Sequence, residues 1–296
     1  MNFDPLLDPW RSPTSIWLML TAAFTAIACG IPGTFLVLRR MSLAGDAISH
    51  SVLPGIVIGF LISGSLNSPW LVAGAAASGW LTVMLIEFLH RRAGVREDAA
   101  TGVVFTAMFS IGVVLLKQFA SKVDLDPDCI LFGNLETAIQ GERIALAGFE
   151  IPSIALNTGI AAVVGAGFVA ACYHRLLGTS FDPALARLTR QAPALTQSLL
   201  LAVTAAVVVA AFQTVGAVMS VALLVLPAAS GMLVTRRLPH LLIGVIFHAL
   251  ASAVSGLYLA TWLGLNLGAS VIIAGAGIFG LCWLISGFFR SEISAS

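Results

Sequence analysis

Asp46 and His50 are the residues of this chain best placed to do chemistry. They stand four apart in Gly45-Asp46-Ala47-Ile48-Ser49-His50-Ser51, just before the apolar run Val52 to Ser63. In a helix that spacing puts both side chains on one face, so a carboxylate and an imidazole can converge on a cation. Ionisable groups at membrane depth are costly and mark pathways, proton relays or partners. From the residues alone two readings stay open. In one, Asp46 caps the start of the following helix and His50 is a hydrogen-bonded core residue. In the other, the pair is half of a metal site. One chain supplies only two such ligands, too few for a closed site. A two-fold pair of chains would bring two Asp and two His around an axis, a nitrogen/oxygen set suited to Mn, Fe or Zn.

The elements that must position this pair are membrane helices. The 296 residues are 58% hydrophobic and 10% charged, with a mean hydropathy of +0.99. Soluble domains carry about a quarter charged residues, so a chain this depleted has lipid for solvent. The net charge of +1 says nothing about nucleic acid, and no basic run suggests such a partner, so none is expected. Met1 to Arg11 holds Asp4 and Asp8 and no basic stretch, which predicts that no signal peptide is cleaved. Cys29, Cys172 and Cys282 lie in apolar runs as core fillers, and Cys129 in a polar loop has no evident partner, so no disulfide framework follows.

A spanning helix needs about 20 mostly apolar residues. Nine segments qualify or come close: 15–38, 46–64, 69–90, 98–118, 151–174, 195–212, 214–235, 240–262 and 268–288, with a possible break of 214–235 near Pro227. The expected fold is therefore an all-α polytopic membrane protein, one transmembrane domain over 1–296. Arg39, Arg40, Arg91, Arg92, Arg96, Arg175, Arg187, Arg190, Arg236, Arg237 and Arg290 fall on one side, eleven of the fifteen Lys and Arg residues. Basic residues mark the cytoplasmic face, so the N-terminus is expected outside and the C-terminus inside.

Two stretches do not span. Residues 119–150 form a long outward loop, a length usually functional in a compact fold. Its Asp124, Asp126 and Asp128 alternate as in a calcium loop, but Pro127 and the absence of a downstream Gly and Glu at EF-hand spacing argue against one. A solvated acidic loop that docks a binding protein or draws in cations fits better. Residues 179–193 lie on the cytoplasmic side, where Asp182 before Pro183 predicts a helix start. Leu185 and Leu188 give that helix an apolar side, with Arg187 and Arg190 left for solvent. It would pack on a cytoplasmic partner or lie on lipid. Among the other histidines, His90, His174 and His240 sit at helix ends among arginines, and His248 in mid-span is expected to be a satisfied core residue. Glu87, four before Arg91, is expected to pair with it.

Lys117 precedes Gln118 and Lys122 precedes Val123, so neither is the lysine of a G-x-x-x-x-G-K-[ST] phosphate cradle. ATP-driven transport would need hydrolysis on another subunit. The chain also lacks H-E-x-x-H, C-x-x-C and G-x-S-x-G, so no enzyme chemistry has a local signature. A self-sufficient proton-coupled transporter or channel would need more intramembrane carboxylates than Asp46 and Glu87.

The run Leu38-Arg39-Arg40-Met41-Ser42-Leu43-Ala44-Gly45-Asp46-Ala47-Ile48-Ser49-His50-Ser51-Val52-Leu53-Pro54-Gly55 closely resembles the signature of the permeases of bacterial manganese, zinc and iron ABC importers. Asp124 to Gly133 (DLDPDCILFG), Ser180-Phe181-Asp182-Pro183 with Ala186, Val215-Gly216 and Leu226-Pro227-Ala228-Ala229 follow in the family's order. The resemblance implies an inner-membrane permease that dimerises with a second copy or a paralogue. Two cytoplasmic ATPases and an extracytoplasmic metal-binding protein would serve it. It also implies a fold like that of the vitamin B12 and siderophore importers, with no permanently bound cofactor and Mn2+, or else Zn2+ or Fe2+, as cargo. By the same resemblance Asp46 and His50 line the translocation path. The helix carrying Asp182, Ala186 and Arg187 contacts the ATPase. Arg190 departs from the family, which usually has Gly there. The DLDPDC stretch looks more like the manganese/iron branch than the zinc one.

Overall fold

The computed structural model describes residues 10, 12–64, 69–119, 135–146, 149–189 and 191–294. Its first helix, α1 (Pro13–Leu38), starts on a proline, whose fixed φ and missing N–H suit the first helical turn. From Thr21 to Leu36 it is buried almost all round, which makes it the central stave. Threonines inside it are satisfied locally: Thr25 donates to the Thr21 carbonyl at 2.7 Å and meets the Thr214 hydroxyl at 3.2 Å.

A tight reversal leads to α2 (Ser42–Ser51), and after Val52 the chain continues as α3 (Leu53–Ser63). Helices α4 (Pro69–Arg92) and α5 (Glu97–Phe119) pack against these two. Next come a four-residue helix α6 (Leu135–Ala138) and an antiparallel hairpin, β1 (Arg143–Leu146) with β2 (Phe149–Pro152), paired Arg143 to Pro152 and closed by an Arg143–Glu150 ion pair at 3.5 Å. The region expected as plain loop thus has structure in its second half. The span expected from 151 begins as helix α7 (Ser153–Ala171) only after β2 has ended.

Cys172 interrupts the helix before α8 (Tyr173–Phe181), and Asp182 separates α8 from α9 (Pro183–Leu188). The longest element, α10 (Pro193–Val234), has 42 residues. A straight helix of that length would run roughly 60 Å, twice the hydrocarbon thickness. It breaks at Gly216, with φ 75° and ψ 172°, a conformation open to glycine alone. That break lies close to the boundary expected between the spans 195–212 and 214–235, whereas the possible further break near Pro227 does not occur: Pro227 stays inside helix, buried against α1 at Gly30. The chain ends in α11 (Leu238–Leu263) and α12 (Leu267–Ser294).

Among the described residues eight helices are long and apolar enough to cross a membrane, and the second arm of α10, Met219–Val234, is a shorter apolar helix. The architecture is all-α and polytopic, with α1 and the first arm of α10 at its centre and α5, α7 and α12 showing apolar side chains outward.

Candidate metal site and coupling helix

Helix α2 starts at Ser42, with Met41 in the N-cap position, so Asp46 lies a full turn inside. That removes the capping reading of its carboxylate. The spacing then acts as expected: Asp46 Oδ1 and His50 Nε2 approach to 3.5 Å on one helix face. Asp46 is 45% exposed and His50 19%, so an ion can reach both from solvent. Sequence reasoning missed what stands behind the imidazole. Phe105 and Phe109 of α5 lie against it, with ring centroids at 5.5 and 5.7 Å. Their spacing of four puts them on one face too, but nothing in an apolar span of this kind announces which face meets His50.

The helix carrying the pair is anchored and then broken. Ser49 donates to the Gly45 carbonyl at 2.9 Å and lies 3.5 Å from the Ser220 hydroxyl of α10. Gly45 packs on the Leu224 side chain, and Ser78 of α4 donates to the Ser51 carbonyl at 2.7 Å. The break follows from Pro54, whose missing N–H cannot satisfy the His50 carbonyl four residues back. Val52 itself keeps a helical backbone, φ −73° and ψ −23°, so the hydrogen-bond ladder is interrupted while the chain runs on into α3, where the Ile56 N–H bonds to the Val52 carbonyl at 3.1 Å.

Among the described residues no group of three or more His, Cys, Asp and Glu side chains converges. A closed metal site built on this pair would need further donors.

At the other functional candidate, Asp182 caps α9 as expected: its Oδ1 accepts from the N–H groups of Ala184 at 3.1 Å and Leu185 at 2.9 Å. Leu185 and Leu188 are exposed, and so is Phe181 just before them. Ala186, 2% exposed, faces inward, and its carbonyl holds the Gln191 N–H at 2.9 Å, so it anchors α9. Arg187 lies within α9. Asp124, Asp126, Asp128, Cys129 and Arg190 fall outside the described residues.

Two further expectations are resolved. Glu87 pairs with Arg91 at 2.6 Å and also accepts from Ser198 at 2.8 Å. His248 is buried but not satisfied: its Nδ1 and the Ser252 Oγ one turn on have no hydrogen-bond partner among the described residues. A neighbouring carboxylate or carbonyl, which no local sequence pattern could guarantee, is what it lacks.

A polytopic helical bundle with a partly exposed ionisable pair on an interrupted helix and a short capped helix between spans fits a membrane transport protein. The chain belongs to the ABC 3 transport family, whose model matches residues 13–286. It is 37% identical over 268 residues to the manganese transport system membrane protein MntD of Bacillus subtilis, covering 90% of this chain and 89% of that one. With the zinc transport system membrane protein TroD of Treponema pallidum it shares 36% over 270 residues, covering 91% and 73%. Among solved structures it resembles PsaBC from Streptococcus pneumoniae in complex with Fab, with a TM-score of 0.75 and 27% identity over 96% of this chain and 95% of that chain.

Proposed function

We propose that this chain is the membrane-spanning permease subunit of an ATP-driven importer that moves a divalent transition metal, manganese foremost and zinc or iron next, into the cytoplasm. The observation that carries the reading is the Asp46–His50 pair at 3.5 Å on a broken, partly exposed helix. Two chains about a two-fold axis would set two carboxylates and two imidazoles around a central ion. Affinity at such a site rises from Mn2+ towards Zn2+, so preference for manganese must come from geometry and delivery. The names of the relatives, manganese for one and zinc for another, support a divalent cargo.

The chain has no phosphate-binding lysine, so hydrolysis falls to a separate cytoplasmic ATPase docking on α9. Phe181, Leu185 and Leu188 supply apolar contact there, Arg187 supplies charge, and Asp182 and Ala186 hold the helix in shape. Residues 119–150 face outward, with Asp124, Asp126 and Asp128 drawing cations or docking an extracytoplasmic metal-binding protein. This places the N-terminus outside and the C-terminus in the cytoplasm, and it counts the second arm of α10 as a crossing beside the eight longer helices.

The test is uptake of radioactive Mn2+ by cells carrying Asp46→Asn or His50→Ala. Both variants are expected to insert and assemble yet to import nothing above background. Wild-type uptake in both would sink the assignment.

A further inference from the structure

Arg39 closes the end of α1, and its guanidinium reaches across to α8. Its Nε donates to Ser180 Oγ at 3.0 Å and its Nη2 to Thr179 Oγ1 at 2.6 Å. The Thr179 hydroxyl in turn donates to the Arg175 carbonyl at 2.7 Å, which leaves its oxygen turned to accept from Arg39. Thr179 and Ser180 stand three and two residues before Asp182, the cap of α9.

On its other side Arg39 is joined rigidly to the metal-site helix. The Arg40 N–H bonds to the Val37 carbonyl at 3.0 Å and the Met41 N–H to the Leu36 carbonyl at 2.8 Å, the double closure of a Schellman turn. Helix α2 begins at the next residue, Ser42, four before Asp46. A single side chain thus bridges the last turn before α9 and the turn that launches Asp46 and His50.

The hold is of an unusual kind. Among the described residues Arg39 has no ion pair, and burial lowers its pKa from the ordinary value, though a guanidinium remains charged. Two neutral hydroxyls bind it less firmly than a carboxylate would. Beside it opens a cavity of about 650 Å³, whose walls include Glu87, His90 and Gln197, so the guanidinium has somewhere to move. Coupling between sites needs contacts that can be made and released, and two neutral hydroxyls beside an open cavity are suited to that.

We propose that Arg39 is the positioning residue that ties the coupling helix to the metal-site helix, so that a shift of α9 moves Asp46 and His50. The inference rests on the importer reading above, and its test separates the two. The assembled importer is reconstituted in vesicles, and Mn2+ ions taken up per ATP hydrolysed are measured. Arg39→Gln is expected to keep ATP hydrolysis and Mn2+ binding while ions per ATP fall about tenfold. Thr179→Val combined with Ser180→Ala, made from the opposite partner, is expected to give the same fall. Adding Arg39→Gln to that pair is expected to cost nothing more, because one interaction is lost only once. Arg39→Lys is not expected to rescue, since an ammonium cannot fork to both hydroxyls.

A wild-type ratio in Arg39→Gln, or losses that simply add, would overturn the proposal. Should Arg39→Gln fail to accumulate, the hydroxyl variant decides alone, and a wild-type ratio there overturns it. Absence of ATP-dependent Mn2+ uptake in the wild-type vesicles would instead overturn the importer reading, and this inference with it.

Discussion

His50 and His248 each have a polar neighbour one helical turn away, Asp46 four residues before the first and Ser252 four residues after the second. Their surroundings then diverge. His50 lies near the end of a ten-residue helix interrupted by the Pro54 break, with a carboxylate at 3.5 Å and a fifth of its surface open. His248 sits inside the 26-residue α11, 4% exposed, beside a neutral hydroxyl that is itself buried. Gly275 of α12 lies against both His248 and Ser252, and its missing Cβ leaves the space they occupy. A helical spacing of four brings side chains together in both places. Access, a counter-charge and an interrupted helix exist in only one, and those three features set the proposed cation path apart from a polar notch in the core.

The largest expected effect tests that separation directly. His50→Ala is expected to lower Mn2+ uptake by about a hundredfold or more, since even the groups behind a metal ligand commonly matter at that scale. His248→Ala is expected to leave uptake per folded protein unchanged. Both variants are to be scored by transport rate normalised to protein in the membrane. Equal losses would mean that His248 belongs to the path and that burial does not distinguish the two.

Much of this contrast was legible in the sequence, and the reasons for the remainder are physical. Asp46 and His50 declared themselves because charge is expensive in so apolar a chain, and Asp182-Pro183 because a carboxylate followed by proline has few other uses. The spans followed from hydropathy alone. What stayed hidden depended on partners far along the chain: Phe105 and Phe109 behind His50, the hydroxyls that receive Arg39, and the lack of a partner for His248 Nδ1 among the described residues. The boundary between the spans 195–212 and 214–235 falls close to Gly216, whose backbone takes a conformation no other residue would hold, whereas Pro227, a possible second break, only forgoes one hydrogen bond inside a buried helix. The burial of Ala186 was not legible either, because a six-residue helix is too short for periodicity to show which side faces inward.

A smaller effect sharpens the two regions as packing problems. At Gly55, where α3 crosses α4, a Cβ would run into the Gly74 carbonyl and lie 2.6 Å from the Ser78 Cβ. At Gly275 it would meet Ser252 Oγ at 3.1 Å and His248 Nε2 at 3.3 Å, both on side chains. Backbone cannot step aside as side chains can. Gly55→Ala is therefore expected to cost about 3 kcal/mol and Gly275→Ala about 1 kcal/mol, read as the drop in thermal unfolding temperature in detergent. A Gly275→Ala loss as large as that of Gly55→Ala would show the notch around His248 to be rigid.

The smallest effect concerns how each region is entered. The chain turns from α1 into α2 through Arg40 at φ 61°, and from α11 into α12 through Gly264 at φ 64°. Both turns close alike, Met41 N–H to the Leu36 carbonyl at 2.8 Å and Leu265 N–H to the Ala260 carbonyl at 3.2 Å. Glycine takes that backbone freely, while a side chain there costs about 1 kcal/mol. Gly264→Ala is thus expected to destabilise by about 1 kcal/mol. Arg40→Gly relieves the strain but gives the unfolded chain more freedom to lose, so its net gain is expected to be about 0.5 kcal/mol or less. Arg40 is exposed, unlike its neighbour Arg39, and Arg40→Gly is expected to leave the Mn2+ imported per ATP at the wild-type value. A fall in that ratio comparable to the one expected for Arg39→Gln would assign the coupling to the turn's backbone and remove it from the Arg39 guanidinium.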